Sequence, residues 1–339
     1  MSASAIDLRS DTLTRPADAM RRAMAAAEVG DDVFGEDPTV RRLEEEAAER
    51  LGKEDALFVA SGRMANLVAV FAHGAADAPV ALGATSHLNT VEAAGIDRIA
   101  RIERVPVEEK GAAPVADSLR AALEGGARLA AFENTHNGAG GRILRPEEAE
   151  PLAALAREAK VPTHLDSARV FNAAVALGAG AATLAAPFDS ACFCLSKGLG
   201  APVGSVLTGT REFIDRAREA RQHVGGAMRQ AGVLAACGLH ALEHHVERIA
   251  EDHASARRFA EIICEAPGVR LDPPEVETNM VYVVYERGGR DSAWLQKELA
   301  KRGVLAFEKD GRIRFVTHLD VTREDVERAA RVLVETASS

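Results

Sequence analysis

Between about residues 55 and 208 the apolar positions change rhythm repeatedly. Short β-type runs (ALFVAS, RLAAFEN, VPTHLD, SACFCLS) alternate with stretches whose apolar residues recur every three or four positions, as in MANLVAVFAHG, PEEAEPLAALAREAK and ARVFNAAVALG. Strand, helix, strand at this rhythm predicts βαβ units. Such units build a mostly parallel sheet covered by helices, with ligands collecting where the carboxyl ends of the strands open into loops. Upstream, RRLEEEAAERLG predicts a helix with a solvated charged face. Downstream, a helical pattern over residues 226–265 leads into TNMVYVVY, SAWLQKELAKRG, VLAFEK, RIRFVTHL and TREDVERAARVLVETA, which predict a smaller α/β unit with LDPPEVET as an internal loop. No repeat or low-complexity linker interrupts the chain. The expected division is an N-terminal arm at 1–15, a large domain at 16–245 and a small C-terminal domain at 246–339.

Composition narrows the classes. With 339 residues and 47% hydrophobic content the chain can bury a full core, and its net charge of -10 argues against a general nucleic-acid binder. No basic run is long enough for a phosphate backbone or an anionic membrane surface. The start MSASAIDLRSD lacks a basic segment followed by an apolar one, and no run of about 18 uncharged apolar residues occurs, so a cytoplasmic protein is expected. The spacing of Cys192, Cys194, Cys237 and Cys264 matches neither a disulfide framework nor a zinc site, which predicts buried thiols.

The chemistry sits at predicted strand ends. In FVASGRMAN, Gly62 follows a strand and opens a helix, so backbone N–H groups near Ser61, Gly62 and Arg63 could hold a phosphate; a purely structural turn glycine is the alternative. In THLDSARVF, Asp166 ends a strand with Arg169 three residues on, either a local ion pair or a carboxylate placed to face a basic ring nitrogen. In CFCLSKGLG, about 30 residues later, Lys197 follows an apolar strand and lies among glycines, one crossover from Asp166. Partial desolvation and nearby cations there would favour the neutral amine that forms a Schiff base. FENTHNG adds His136, and SHLNTVEAAG adds His87 and Glu92, each a candidate beside the ordinary reading of a hydrogen-bonded histidine. A phosphate cradle, a ring-nitrogen carboxylate, an imine lysine and flat histidine rings together describe a pyridoxal 5'-phosphate site. HALEHH places His240 and His244 at a metal-binding spacing, but no glutamate follows His240 as in HExxH and no third ligand is evident, so no metal is expected.

Seven stretches, IDLRSDTLTRP, VGDDVFGEDPTV, ENTHN, HLDSARVFNA, LSKGLGAPVGS, GGAMRQAG and RFVTHLDVTRED, resemble the low-specificity L-threonine aldolases of the β-eliminating lyase group, in family order from about Ile6 to Asp325. The resemblance implies an α/β fold of type I: a three-layer, pyridoxal-phosphate transferase-like large domain on a mostly parallel sheet, plus a smaller C-terminal α/β domain. It implies that Lys197 holds the cofactor, Asp166 pairs with the pyridine nitrogen and His87 stacks on the ring. Arg169 would lie near the phenolic oxygen and the substrate carboxylate, Ser10 and Arg314 would bind that carboxylate, and His136 would face the substrate hydroxyl as its base. Ser196, Gly62 and Arg63 would line the phosphate, with Arg229 reaching in from a neighbouring subunit. Two departures stand out: Arg63 where the family usually has threonine, and Phe34 where tyrosine is frequent.

The activity implied is cleavage of L-threonine, L-allo-threonine and related β-hydroxy-α-amino acids to glycine and an aldehyde, by a homodimer or homotetramer with shared sites. The nearest alternative is a lyase giving keto acid and ammonia from the same residues. A non-catalytic ligand-binding member would be expected to lack Lys197 or Asp166, and both are present.

Overall fold

The computed structural model describes residues 5–339, so the first four residues of the expected arm lie outside the described ones. In chain order the strands before residue 210 are β1 (Ile6–Asp7), β2 (Asp55–Val59), β3 (Pro79–Gly83), β4 (Glu103–Val107), the hairpin β5 (Glu109–Lys110) and β6 (Ala113–Pro114), β7 (Leu129–Glu133), β8 (Thr163–Asp166), β9 (Ser190–Cys194) and β10 (Ser205–Gly209). Seven of them form one sheet in the order β2-β10-β9-β8-β7-β3-β4. All neighbours are parallel except those of β10, which runs against both β2 and β9. The expected mostly parallel α/β sheet is therefore present.

Side-chain alternation divides this sheet between two helical layers. Leu57, Val59, Cys192 and Leu207 pack with helices Gly62–Ala72 and Arg211–His223. On the other side Ala56, Phe58, Phe193 and Val206 pack with helices Pro38–Leu51, Pro146–Glu158, Val170–Leu177 and Gly232–His244. Covering both faces explains why every residue of β7, β9 and β10 is buried.

The small sheet comprises β11 (Val269–Leu271), β12 (Met280–Arg287), β13 (Arg290–Asp291), β15 (Phe307–Lys309) and β16 (Arg312–Val316), while β14 (Val304–Leu305) pairs elsewhere. Its core gathers Phe259, Ile263, Val283, Tyr285, Leu295, Phe315 and Leu333. The N-terminal segment belongs to this core: β1 runs parallel to β14, and Ile6 and Leu8 are buried with the C-terminal residues.

Several elements depart from the sequence pattern. β3, β4 and β10 interrupt apolar runs with Pro, Gly or charged residues, and β4, at the sheet edge, is largely exposed, so the rhythm did not mark them. The helical stretch over 226–265 is two helices, Gly232–His244 and Ile249–Ile263. On Pro38–Leu51 one member of the charged face turns inward: Glu44 is buried, accepting from the Phe58 N–H at 2.8 Å and from Arg218 Nη2 at 2.9 Å. Cys192, Cys194 and Cys237 are buried free thiols as expected, but Cys264, the residue that follows the Ile249–Ile263 helix, is exposed. No helix among the described residues is long and apolar enough to cross a membrane.

Candidate active site

Register brings the chemistry to one edge of the large sheet. Asp166 stands opposite Cys192 on one side and Glu133 on the other, Gly83 stands opposite Val107, and Val59 and Cys194 both face Ser205 across β10. The loops carrying Ser61–Arg63, His87, His136, Arg169 and Lys197 therefore leave the sheet on the same side.

Asp166 is buried and, among the described residues, forms no ion pair. Its Oδ2 accepts from Asn66 Nδ2 at 3.1 Å, and the same amide lies 3.3 Å from both oxygens of buried Glu92. Glu92 in turn holds His87 Nδ1 at 2.8 Å, which leaves Nε2 of His87 without a hydrogen-bond partner among the described residues. Ligand atoms of His87, Glu92 and Asp166 lie within 4.8 Å of one another. Burial, then the carboxylates of Glu92 and Glu133, push the Asp166 carboxyl up to about 6 against the pull of His87 and Lys197. A buried carboxylate crowded by others calls for a cation.

The local pair expected between Asp166 and Arg169 does not form. Arg169 instead makes a buried bidentate bond to Asp11, Nε and Nη2 each 2.7 Å from a carboxylate oxygen. Burial raises the Asp11 carboxyl, but the guanidinium and the Lys197 ammonium outweigh it and hold Asp11 well below the usual range. Asp11 thus fixes Arg169, and sequence reading missed it because the partners are 158 positions apart.

Lys197 follows β9 as the strand ends at Cys194, half-buried in a turn closed by the Gly200 N–H on the Lys197 carbonyl at 2.8 Å. At the other expected end, Ser61 caps helix Gly62–Ala72 by accepting from the Met64 N–H, and the helix N-terminus is open at Ser61 and Arg63. Gly62 is required for space rather than for its backbone angle: a Cβ there would come 2.8 Å from Cys194 Sγ. Beside it the Ser205 hydroxyl is buried with no partner among the described residues, and Ser196 donates to the Gly204 carbonyl at 3.4 Å.

His136 departs most from expectation. It is fully buried, its Nδ1 accepts from the Ala139 N–H at 3.1 Å, and its Nε2 lies 2.8 Å from Glu109 Oε1. Burial opposes protonation, yet Glu133 and Glu109 outweigh it and raise the affinity of the ring for a proton. With both nitrogens engaged, the ring has no lone pair to offer a substrate hydroxyl while these bonds hold, a geometry that argues against the role of base expected for it. Glu109 reaches this position across Gly83, where a Cβ would collide with its carboxylate at 2.0 Å.

Two cavities flank the His87–Glu92 pair. One, of about 540 Å³, is lined by His87, Asn137, Tyr282 and Arg314. The other, of about 420 Å³, is lined by Ser61, Arg63 and Glu92. Arg314 reaches from β16 to Asn137 Oδ1 at 2.9 Å and to the Arg9 carbonyl at 3.0 Å, while its Nε is buried with no partner among the described residues. Ser10 accepts from the Thr12 N–H at 3.3 Å and from the Thr12 hydroxyl at 2.9 Å, which leaves its own O–H to donate. Arg229 is exposed and pairs with Asp31 at 3.2 Å, so nothing within this chain carries it to the helix end at Ser61.

These residues fit a phosphorylated pyridine aldehyde. Asp166 is a buried carboxylate with no ion-pair partner among the described residues, the helix end at Ser61 and Arg63 is open beside the unpartnered Ser205 hydroxyl, and Lys197 offers an amine. Across the larger cavity the guanidinium of Arg314, which lines it, suits a substrate carboxylate.

Residues 7–286 match the model of the beta-eliminating lyase family. Low-specificity L-threonine aldolase 1 of Arabidopsis thaliana is 44% identical over 333 residues, covering 95% of this chain and 93% of the relative. The low specificity L-threonine aldolase of Escherichia coli strain K12 is 40% identical over 333 residues, covering 96% and 97%. Among solved structures, Leishmania major threonine aldolase superposes with a TM-score of 0.83 at 18% identity, covering 98% of this chain and 99% of that one.

Proposed function

The chain belongs to the beta-eliminating lyase family, and from that premise we propose that it is a pyridoxal-phosphate enzyme cleaving L-threonine and related β-hydroxy-α-amino acids to glycine and an aldehyde. The observation that carries this reading is the meeting at one sheet edge of Lys197, Asp166 and the His87–Glu92 pair, with Arg314 facing the adjoining cavity. Residues 16–245 hold the cofactor in this reading and 246–339 supply Arg314. The assembly it carries is a homodimer or homotetramer; Phe34, 74% exposed, and Arg229 with its partner Asp31 lie close together on the surface, available to a second copy.

When bound through Lys197, pyridoxal phosphate supplies an electron sink for the pair left when a bond at the substrate α-carbon breaks. The chain's own residues decide which bond that is. Arg314, which lines the cavity, and Arg169, whose Nη1 has no hydrogen-bond partner among the described residues, grip the carboxylate and so set the rotation about the α-carbon. Asp166 keeps a proton on the ring nitrogen by offering it a buried carboxylate. The β-hydroxyl proton goes to His87 Nε2, directly or through one water, because Glu92 occupies Nδ1 and His87 lines the cavity. His136, between Glu109 and the Ala139 N–H, supports the floor of the site.

The test is to incubate the cofactor-loaded protein with L-threonine, L-allo-threonine and L-serine and to assay glycine plus aldehyde against ammonia plus keto acid. Glycine and acetaldehyde are expected; ammonia and keto acid as the main products would sink the aldolase reading in favour of β-elimination. Arg314→Gln is expected to raise KM for L-threonine about 100-fold, as loss of a charge-assisted carboxylate contact of about 2–3 kcal/mol requires. Steady-state kinetics showing an unchanged KM would remove Arg314 from carboxylate binding.

A further inference from the structure

Beneath the site a chain of side chains that the reaction does not touch leads to Asp166 from the opposite edge of the sheet. His73, the residue after helix Gly62–Ala72, has Nε2 2.7 Å from Ser190 Oγ, which lies 2.8 Å from His164 Nδ1. His164 Nε2 is 3.1 Å from Asn66 Oδ1, and the other end of that amide meets Asp166 and Glu92. Strand geometry sets this up. His164 and Asp166 are two apart on β8 and share a face, and His164 stands opposite Ser190 in the ladder.

The direction of every bond is forced from the carboxylate end. Ionised carboxylates only accept, so Asn66 turns its NH2 toward them and its oxygen toward His164. An amide oxygen also only accepts, which puts the His164 proton on Nε2 and leaves Nδ1 to accept from the Ser190 hydroxyl. Ser190 then accepts from His73. Both rings stay neutral, as this pattern needs: burial pushes His164 down to about 3 and His73 to about 4. The Cys192 thiol, 3.3 Å from Asn66 Oδ1, is a weak donor and no replacement for the imidazole. Nor is the chain a route for protons, because the Asn66 amide interrupts it. What it transmits is orientation.

We propose that His164 is a positioning residue: by donating from Nε2 to Asn66 Oδ1 it locks the amide that holds Asp166 and Glu92, and through Glu92 it holds His87, against the cofactor ring. Without that donor the buried Asn66 oxygen loses its imidazole partner, the amide is held from the carboxylate end alone, and the aim of both acids loosens. This rests on the reading of the site as a pyridoxal-phosphate site.

The experiment reconstitutes cofactor-free wild type, His164→Leu, His164→Gln and Asn66→Leu with pyridoxal phosphate. It measures cofactor affinity, the visible circular dichroism of the bound cofactor at saturation, and kcat and KM for L-threonine. His164→Leu is expected to bind the cofactor about tenfold more weakly, corresponding to roughly one buried hydrogen bond. Its dichroic band should change even at full occupancy, and kcat should fall while KM is nearly kept, since Arg314 is untouched. His164→Gln, whose amide N–H can stand in for Nε2–H, should restore most of each. Should His164→Leu fail to fold, Asn66→Leu is expected to show the same altered dichroism. Wild-type affinity, dichroism and kcat in His164→Leu, an altered band in neither variant, or equal losses in His164→Gln and His164→Leu would overturn the inference. Wild-type protein that takes up no cofactor would instead overturn the reading beneath it.

Discussion

Lys197→Ala is expected to lose the covalent link to the cofactor and about four orders of magnitude in turnover, as removal of the amine proposed to attach it implies. The variant should still bind pyridoxal phosphate, because the open helix end at Ser61 and Arg63 and the carboxylate of Asp166 do not depend on the lysine side chain. Borohydride treatment followed by mass measurement separates the two properties: wild type becomes irreversibly labelled at Lys197 and the variant does not. A variant that turned over at the wild-type rate would refute the central assignment.

Asp166→Asn is expected to act in opposite directions on activity and on stability. Losing the buried charge proposed to retain a proton on the ring nitrogen should lower kcat by about 10²–10³, the scale of removing one preorganised electrostatic contact. In the cofactor-free chain the same carboxylate is a liability. Pushed up to about 6 in the folded chain, it lies above its ordinary value of 3.8, so in the intervening range the folded state holds a proton that the unfolded state has released. Stability from this group is therefore present below about pH 4 and is lost as pH rises toward 6, on the order of 3 kcal/mol. Denaturation of cofactor-free protein should find Asp166→Asn more stable than wild type at pH 7, with the difference shrinking toward pH 4. A constant difference would mean that burial and the carboxylates of Glu92 and Glu133 do not raise Asp166 in the folded chain.

What could be read along the chain was whatever sits at a change of rhythm. Gly62, Asp166 and Lys197 each follow an apolar strand and precede a turn or helix, and the order of strands then carries them to one edge. What could not be read were partners brought in from a distance. Asp11 meets Arg169 across 158 positions, Asn66 meets Asp166 across 100, and Glu109 meets His136 across 27 by passing over a glycine. His136 and His87 illustrate the limit. Both look alike in sequence, as a histidine just after a strand, but a backbone N–H and a hairpin glutamate consume one ring while the other keeps a nitrogen free. His164 lay in plain view two residues before Asp166, and only the conformation of a helix side chain shows why it matters.

The parallel pairing of β1 with β14 also has a bearing on how the molecule comes into being. Arg314 contacts the Arg9 carbonyl across 305 positions, and Ile6 and Leu8 complete a core whose other members come from the last third of the chain. A ribosome delivers the N-terminal strand first and its partner almost last, so the segment that carries Asp11 waits, unpaired and apolar, through most of synthesis. Competence for catalysis therefore arrives in a single late event. A nascent chain stalled before Val304 has the residues of its large sheet, Lys197 and Asp166, yet neither the strand that pairs with β1 beside Asp11 nor Arg314.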